Sequence, residues 1–275
     1  MNQAQKVIAL PRPNADRLSI LSAAIILAYV MTRFVDLPSR ELSLQLPGFF
    51  ISVQMNTSLV VTFLVAGLTA AGADWLLYDH PGLKDHPVLP HCLLPSLTAL
   101  VIGIPLYQLP FGLSWWLALM AGSLLLVLVL VAEFISVSEE SFRRQLAAAG
   151  LTAVSFALYL ILAGGLRSLG TRFIFTLPTL GIGTALVSFR VLHLRLHGQW
   201  LVYEALLSAL VVSQIAAAFF YWPLNPVAYG ILVLGPTYAL ISLFTSLIEE
   251  KTPRQAWVEP VVVILITIGA AIWLN

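Results

Sequence analysis

Histidines and aspartates recur in two polar segments that separate long apolar runs of this chain. The first segment repeats the unit Asp-His-Pro, and the second carries two histidines four residues apart, which share one face if the preceding helix extends that far. Imidazole and carboxylate groups are suitable ligands for zinc or iron. One hypothesis is therefore a divalent-metal site, whose candidate ligands are His80, His86, His91, His193 and His197. The spacing matches no specific metal-binding pattern, so no cofactor is predicted.

Acidic side chains near the ends of the apolar runs suggest a second kind of chemistry. Asp74, Glu133, Glu204 and Glu259 each lie within about two turns of the same predicted membrane face. An acid at the bilayer centre costs roughly 2.5–3.5 kcal/mol, so each should face the bundle interior and find a partner, for which Arg190 is the obvious candidate. An enzyme at this face would draw its catalytic groups from Asp74, Glu133, Arg190, His193, His197 and Glu204.

The composition shows which elements must position these groups. Of the 275 residues, 59% are hydrophobic and 10% are charged, against about 45–50% and 25% in an average soluble domain. These values exclude a soluble globular domain and a disordered chain, and the formal net charge of +1 leaves no basic surface for a nucleic-acid partner. The chain is therefore predicted to be a multi-pass membrane protein whose main partner is the lipid bilayer.

Nine apolar runs are long enough to approach the ~20 residues that a membrane-spanning helix needs. They predict an all-α polytopic bundle in a single transmembrane domain over residues 18–275, preceded by a tail over residues 1–17. The predicted spans are 18–34, 58–77, 93–109, 115–136, 146–166, 173–194, 201–222, 227–248 and 258–274.

A segment between the first two spans has a different pattern. Residues 42–46 and 51–55 alternate apolar and polar side chains on either side of Pro47-Gly48. Period-two patterning around such a turn predicts a β-hairpin, here over residues 42–55 at the outer membrane surface.

The distribution of Lys and Arg predicts the orientation. Ten of these residues lie in the N-terminal tail, in the loops after helices 2, 4, 6 and 8, or at the helix ends beside those loops. The other four lie on the opposite side of the membrane. This asymmetry places the N-terminus in the cytoplasm and the C-terminus outside, in the cell inner (cytoplasmic) membrane. All five histidines then lie on the cytoplasmic side.

Two stretches of sequence carry a resemblance to a family of uncharacterised multi-pass bacterial membrane proteins. They are Gly72-Ala73-Asp74-Trp75-Leu76-Leu77-Tyr78-Asp79-His80-Pro81, which leads into residues 93–100, and the later Tyr221-Trp222-Pro223-Leu224. The resemblance implies no activity, because that family is assigned none.

Two further resemblances are partial. Glu139-Glu140 followed by Arg144, together with Phe189 and His193, resembles two motifs of the CAAX-type intramembrane endopeptidases, but the third motif is missing. Nine helices with an inner N-terminus also resemble the UbiA-type prenyltransferases, whose aspartate-rich Mg²⁺ motifs are absent here. That second likeness is one of topology alone.

Three functional classes follow from these patterns. The favoured one is a non-catalytic membrane subunit or scaffold, associated with other membrane subunits, or a carrier of a neutral or lipid-like molecule. Breaks at Gly103-Ile104-Pro105, Pro178 and Gly235-Pro236 could line a path for such a carrier. The alternatives are a lipid- or peptide-processing enzyme with its polar site at the cytoplasmic face, and a metal-binding protein. No catalytic motif is complete, which is why the first class is favoured.

Overall fold

A computed structural model describes residues 14–34, 40–46, 49–55, 57–78, 87–137, 142–196 and 198–275. In this part of the chain, nine α-helices form a bundle and two short strands form a ribbon. The helices are α1 (Ala15–Met31), α2 (Thr57–Leu77), α3 (Leu89–Gln108), α4 (Leu113–Ser136), α5 (Phe142–Ser168), α6 (Phe173–Arg195), α7 (Val202–Phe220), α8 (Pro226–Ile248) and α9 (Pro253–Leu274). The strands are β1 (Arg40–Leu46) and β2 (Phe49–Met55).

The predicted all-α polytopic bundle is confirmed. Of the helices that the structure describes, eight are long and apolar enough to cross a membrane, and α1 is shorter at 17 residues. Helix starts differ most from the predicted spans, since α3 begins at Leu89 rather than Leu93 and α9 at Pro253 rather than Val258. Hydropathy misses these polar first turns, which a proline near the helix start favours in both cases.

The two strands pair antiparallel, from Arg40 opposite Met55 to Leu46 opposite Phe49. Ser43 and Gln45, which alternate with leucines in β1, are exposed. The membrane side on which this ribbon lies stays a prediction.

Successive helices alternate in direction, as contacts between their termini indicate. The Arg17 guanidinium at the start of α1 donates to the Trp75 carbonyl at the end of α2. At the other end of the bundle, Arg33 donates to the Leu106 and Leu109 carbonyls at the end of α3. We call the end that carries Arg17 and Trp75 the site end, and the other the opposite end.

Two hydrophobic cores run through the bundle and share α3 and α4. One is built from α1 to α4 around Ile25, Leu77 and Leu126, and the other joins α3 and α4 to α5–α8 around Tyr159, Leu180 and Val233. The inner part of α4 therefore lies at the seam between them, where Val129 belongs to one core and Leu130 to the other.

The glycines beside the proline breaks are places of close helix packing. A Cβ atom at Gly103 would lie 2.8 Å from the Thr62 hydroxyl of α2, and one at Gly235 would overlap the Thr267 side chain of α9. Small residues allow this close approach in membrane helices. Among the described residues, the break at Gly235 is filled by a neighbouring side chain, which counts against an open carrier path there, whereas Gly103 and Thr62 also line a cavity of about 100 Å³.

Candidate functional site

A buried ion pair joins α4 to α6 at the site end. The Arg190 Nε atom donates to Glu133 Oε1 at 3.0 Å, and Arg190 Nη2 forms a second hydrogen bond with Glu133 Oε2. Both side chains are 1% exposed. The planar guanidinium thus contacts both carboxylate oxygens through two of its nitrogens, which is the bidentate geometry typical of strong Arg–carboxylate pairs. The predicted partnership of Arg190 with an acid is therefore present, and the acid is Glu133.

His91, in the first turns of α3, completes the network. Its Nδ1 atom lies 3.0 Å from Glu133 Oε2 and 3.2 Å from Arg190 Nη2. The tautomer decides whether Nδ1 donates to the carboxylate or accepts from the guanidinium. Ser136 also lies against the acid, because its hydroxyl is 3.4 Å from Glu133 Oε2, and it donates to the Glu133 backbone carbonyl at 2.8 Å. Three helices, α3, α4 and α6, are thus tied together by one set of hydrogen bonds.

His193 lies at the rim of this network, one turn beyond Arg190 on α6. Its ring packs edge-on to His91, with centroids 6.2 Å apart, and nearly parallel to Phe189 at 6.0 Å. Its Nδ1 atom is 3.2 Å from the Gln199 carbonyl, and Trp200 packs against Phe189 at 5.5 Å. The two histidine rings and these aromatic groups cover the ion pair from the site end.

Two buried polar atoms in this region lack a hydrogen-bond partner among the described residues. They are Nη1 of Arg190 and Oγ of Ser188, both on α6. The remaining donors and acceptors of the Glu133–Arg190 pair are engaged. Because both oxygens of Glu133 already accept hydrogen bonds and the group is sealed from solvent, the carboxylate is poorly placed to activate water for hydrolysis.

The structure brings together only some of the predicted catalytic residues. Glu133, Arg190 and His193 converge, whereas Asp74 on α2 is exposed and has Cys92 as a neighbour. Glu204 is half-buried in the first turn of α7, where its backbone carbonyl accepts from Ser208. His197 lies outside the described residues. α6 ends at Arg195, so the condition for placing His193 and His197 on one helical face, that the helix extends to His197, is not met.

The proposed metal ligands are only partly described. His91 and His193 are neighbours, whereas His80, His86 and His197 lie outside the described residues. Within the described ranges, no group of three or more His, Cys, Asp or Glu side chains is arranged to hold a metal ion. The His91 ring is instead engaged by the ion pair, a role that the sequence did not predict for it.

A cavity lies at the opposite end of the bundle, away from these groups. It measures about 100 Å³ and lies between the end of α1, the start of α2 and the end of α3, where Tyr29, Arg33, Thr62, Gly103 and Tyr107 line it. No residue of the Glu133 network lines this cavity. The cavity and the ionisable residues at the site end are therefore at different places in the bundle.

Comparison with protein families identifies the family of this chain. The family described as "Protein of unknown function (DUF5656)" matches residues 37–274, which covers nearly all of the helical bundle. No curated protein matches the chain, and no solved structure matches it. These results give no support to the likeness to CAAX-type endopeptidases or UbiA-type prenyltransferases. Glu139 and Glu140, which carry part of the endopeptidase likeness, lie outside the described residues.

Proposed function

Because the chain belongs to the DUF5656 family of unknown function, we propose its role from geometry: a non-catalytic membrane subunit or scaffold. The observation that carries this proposal is the sealed Glu133–Arg190 pair, in which both side chains are 1% exposed. A catalytic acid or base must reach its substrate, directly or through one water. The Glu133–Arg190 pair instead faces other helices.

The packed interior favours a subunit over a carrier. A carrier of neutral molecules needs a path between its helices, and the glycine–proline breaks were the predicted place for one. Gly235 instead receives the side chain of Thr267. Gly181 is in the same situation, since a Cβ there would lie 2.8 Å from the Ser213 hydroxyl of α7. The cavity beside Gly103 is lined by residues of α1 to α3 and the turn after α1, and no residue of the Glu133 network lines it.

The ion pair has a structural use that fits this role. It lies at the seam of the two hydrophobic cores and ties α6 to α4, while His91 ties α3 to both. A helix arrangement that separated Glu133 from Arg190 would leave a buried charge without its partner. The pair therefore disfavours such arrangements relative to the observed one. A rigid bundle of this kind is suited to presenting a constant surface to other membrane subunits.

The test uses native membranes extracted into polymer-bounded discs, so that neighbouring proteins stay associated. We expect the chain to be recovered with another membrane protein at a fixed ratio, and the level of that partner to fall when the chain is deleted. The double variant Glu133→Gln with Arg190→Met should restore the partner, since it keeps the packing without ionisable groups. A chain that migrates alone in the discs would contradict the proposal.

The second candidate, an enzyme at the cytoplasmic face, is favoured by one observation. His91 and His193 lie side by side next to Glu133, and His91 keeps 13% of its side chain exposed. If these groups catalyse a reaction on a lipid or peptide, the folded double variant would fail to restore the deletion strain. The same variant therefore separates the two candidates.

A further inference from the structure

A second polar cluster lies on the lipid-facing side of the site end, between α6, α8 and α9. The Tyr238 hydroxyl of α8 donates to Glu259 Oε1 of α9 at 2.7 Å. The Arg195 guanidinium at the end of α6 lies over the Tyr238 ring, 5.4 Å from its centroid. Ser242 also interacts with the Glu259 carboxylate, and the charges of Arg195 and Lys251 act on it.

This cluster differs from the Glu133 network in being open. Glu259 is exposed, Arg195 and Tyr238 are half-buried, and only 11% of the apolar segment of α9 is buried in the bundle. An ionisable side chain within a membrane-spanning helix is a functional-site hypothesis whose partner has to be named. Tyr238 and Ser242 engage two of the roughly four acceptor positions of a carboxylate, and the exposed Glu259 keeps the others for a ligand.

The depth of the cluster matches the headgroup region. Glu259 is six residues beyond the start of α9, or about 9 Å along the helix axis. Trp257, two residues earlier, is 56% exposed, and tryptophan side chains favour the boundary between headgroups and acyl chains. The carboxylate therefore lies at or just below that boundary, where a phospholipid headgroup can reach it from the bilayer.

We propose that Arg195, Tyr238 and Glu259 bind the headgroup of an aminophospholipid, with its ammonium on Glu259 and its phosphate on Arg195. A primary ammonium carries three hydrogen-bond donors and suits the free acceptor positions of a carboxylate. A guanidinium is a good ligand for phosphate. Glu259 and Arg195 form an anion beside a cation, which is complementary to a zwitterion, and Lys251, whose charge also acts on Glu259, is paired with Glu249 at 2.7 Å.

The headgroup chemistry provides a test on the unmodified protein. The purified full chain is equilibrated with equal amounts of phosphatidylethanolamine, phosphatidylcholine and phosphatidylglycerol, and retained lipid is counted by native mass spectrometry. We expect one phosphatidylethanolamine to be retained roughly tenfold more than either other lipid, the ratio expected for one charge-assisted hydrogen bond. Phosphatidylcholine lacks the donors, and phosphatidylglycerol lacks the cation.

Two variants locate the lipid. Glu259→Gln should reduce phosphatidylethanolamine retention to the level of phosphatidylcholine, and Asp16→Asn, which changes an exposed acid in the first turn of α1, should leave it unchanged. Equal retention of the three lipids by the unmodified chain would overturn the proposal even if Glu259→Gln fails to fold. So would a folded Glu259→Gln that keeps its preference, or a partner protein cross-linked at position 259 in place of lipid.

Discussion

Arg190 binds Glu133 through two nitrogens at the seam of two hydrophobic cores, and His91 is within 3.2 Å of both partners. This relationship sets the energetics of the site end. Taking two charges out of water is costly, and their attraction in a medium of low dielectric offsets that cost only while both are present. Loss of one partner should therefore be costly, whereas replacement of both by neutral side chains should change stability little.

Removal of one partner of the ion pair should be much worse than removal of both. We expect Glu133→Gln to lower the free energy of unfolding by about 3–5 kcal/mol, because it leaves the buried Arg190 charge uncompensated. The double variant Glu133→Gln with Arg190→Met should recover most of this loss, since a neutral pair of similar volume carries no buried charge. Unfolding in mixed micelles, followed by circular dichroism, measures all three proteins.

The control for this cycle is a paired substitution of exposed charges at the same end. Lys251 and Glu249 form an ion pair with side chains that are 48% and 42% exposed. Neutralisation of either should change stability by less than about 1 kcal/mol. If Glu133→Gln is as mild as Glu249→Gln, the Glu133 network is not a structural tie.

An arginine at the opposite end should resist replacement by lysine. Arg167 donates from Nη1 to the Phe220 carbonyl at 2.6 Å and from Nη2 to the Trp222 carbonyl at 2.7 Å, which fastens the end of α5 to the end of α7. A lysine carries one nitrogen and cannot span both carbonyls. We expect Arg167→Lys to cost about 1–3 kcal/mol, measured as a lower thermal midpoint in detergent.

Arg172→Lys is the matched control, since Arg172 is an exposed arginine in the same loop region. It should leave the midpoint unchanged. Equal effects of the two substitutions would mean that the carbonyl contacts of Arg167 contribute nothing specific.

The helices could be predicted from the sequence because lipid imposes length and apolarity on every crossing. The span predicted over 227–248 is observed at Pro226–Ile248, and the one predicted over 115–136 at Leu113–Ser136. Because a buried acid needs a cationic partner, the sequence also predicted that Arg190 would pair with an acidic side chain. These are consequences of solvation, which acts on each helix separately and leaves a clear mark in the sequence.

The choice among the acids could not be predicted in this way. Helices that are apolar on all sides carry no stripe to show which face turns inward, so Asp74, Glu133 and Glu204 looked equivalent. Only packing decides that Glu133 faces Arg190. His91 was missed as a partner because the span was placed at 93–109. The helix begins at Leu89, and its first turn carries His91 into the bundle.

The close contact of α8 with α9 should be sensitive to a single methyl group. A Cβ at Gly235 would overlap the Thr267 side chain, whereas one at Gly269, also on α9, would meet nothing within 4 Å. We expect Gly235→Ala to destabilise by about 1–3 kcal/mol through overpacking. Gly269→Ala should be neutral or stabilise by up to about 1 kcal/mol. Adding Thr267→Ala to Gly235→Ala should restore part of the loss, as thermal unfolding would show.

The predicted orientation can be tested with single cysteines placed in a Cys92→Ser background. Six described helices, α3 to α8, separate position 84 from position 251, so Lys84→Cys and Lys251→Cys should react from the same face. Three of them separate position 84 from position 172, so Arg172→Cys should react from the other face.

A membrane-impermeant maleimide added to intact cells should label only Arg172→Cys, and inverted vesicles should reverse the pattern, because the excess of Lys and Arg belongs on the cytoplasmic side. Labelling of positions 84 and 251 from opposite faces would mean an odd number of crossings between them. The end that carries His91, Glu133 and Arg190 would then not be one membrane face shared by all the helices.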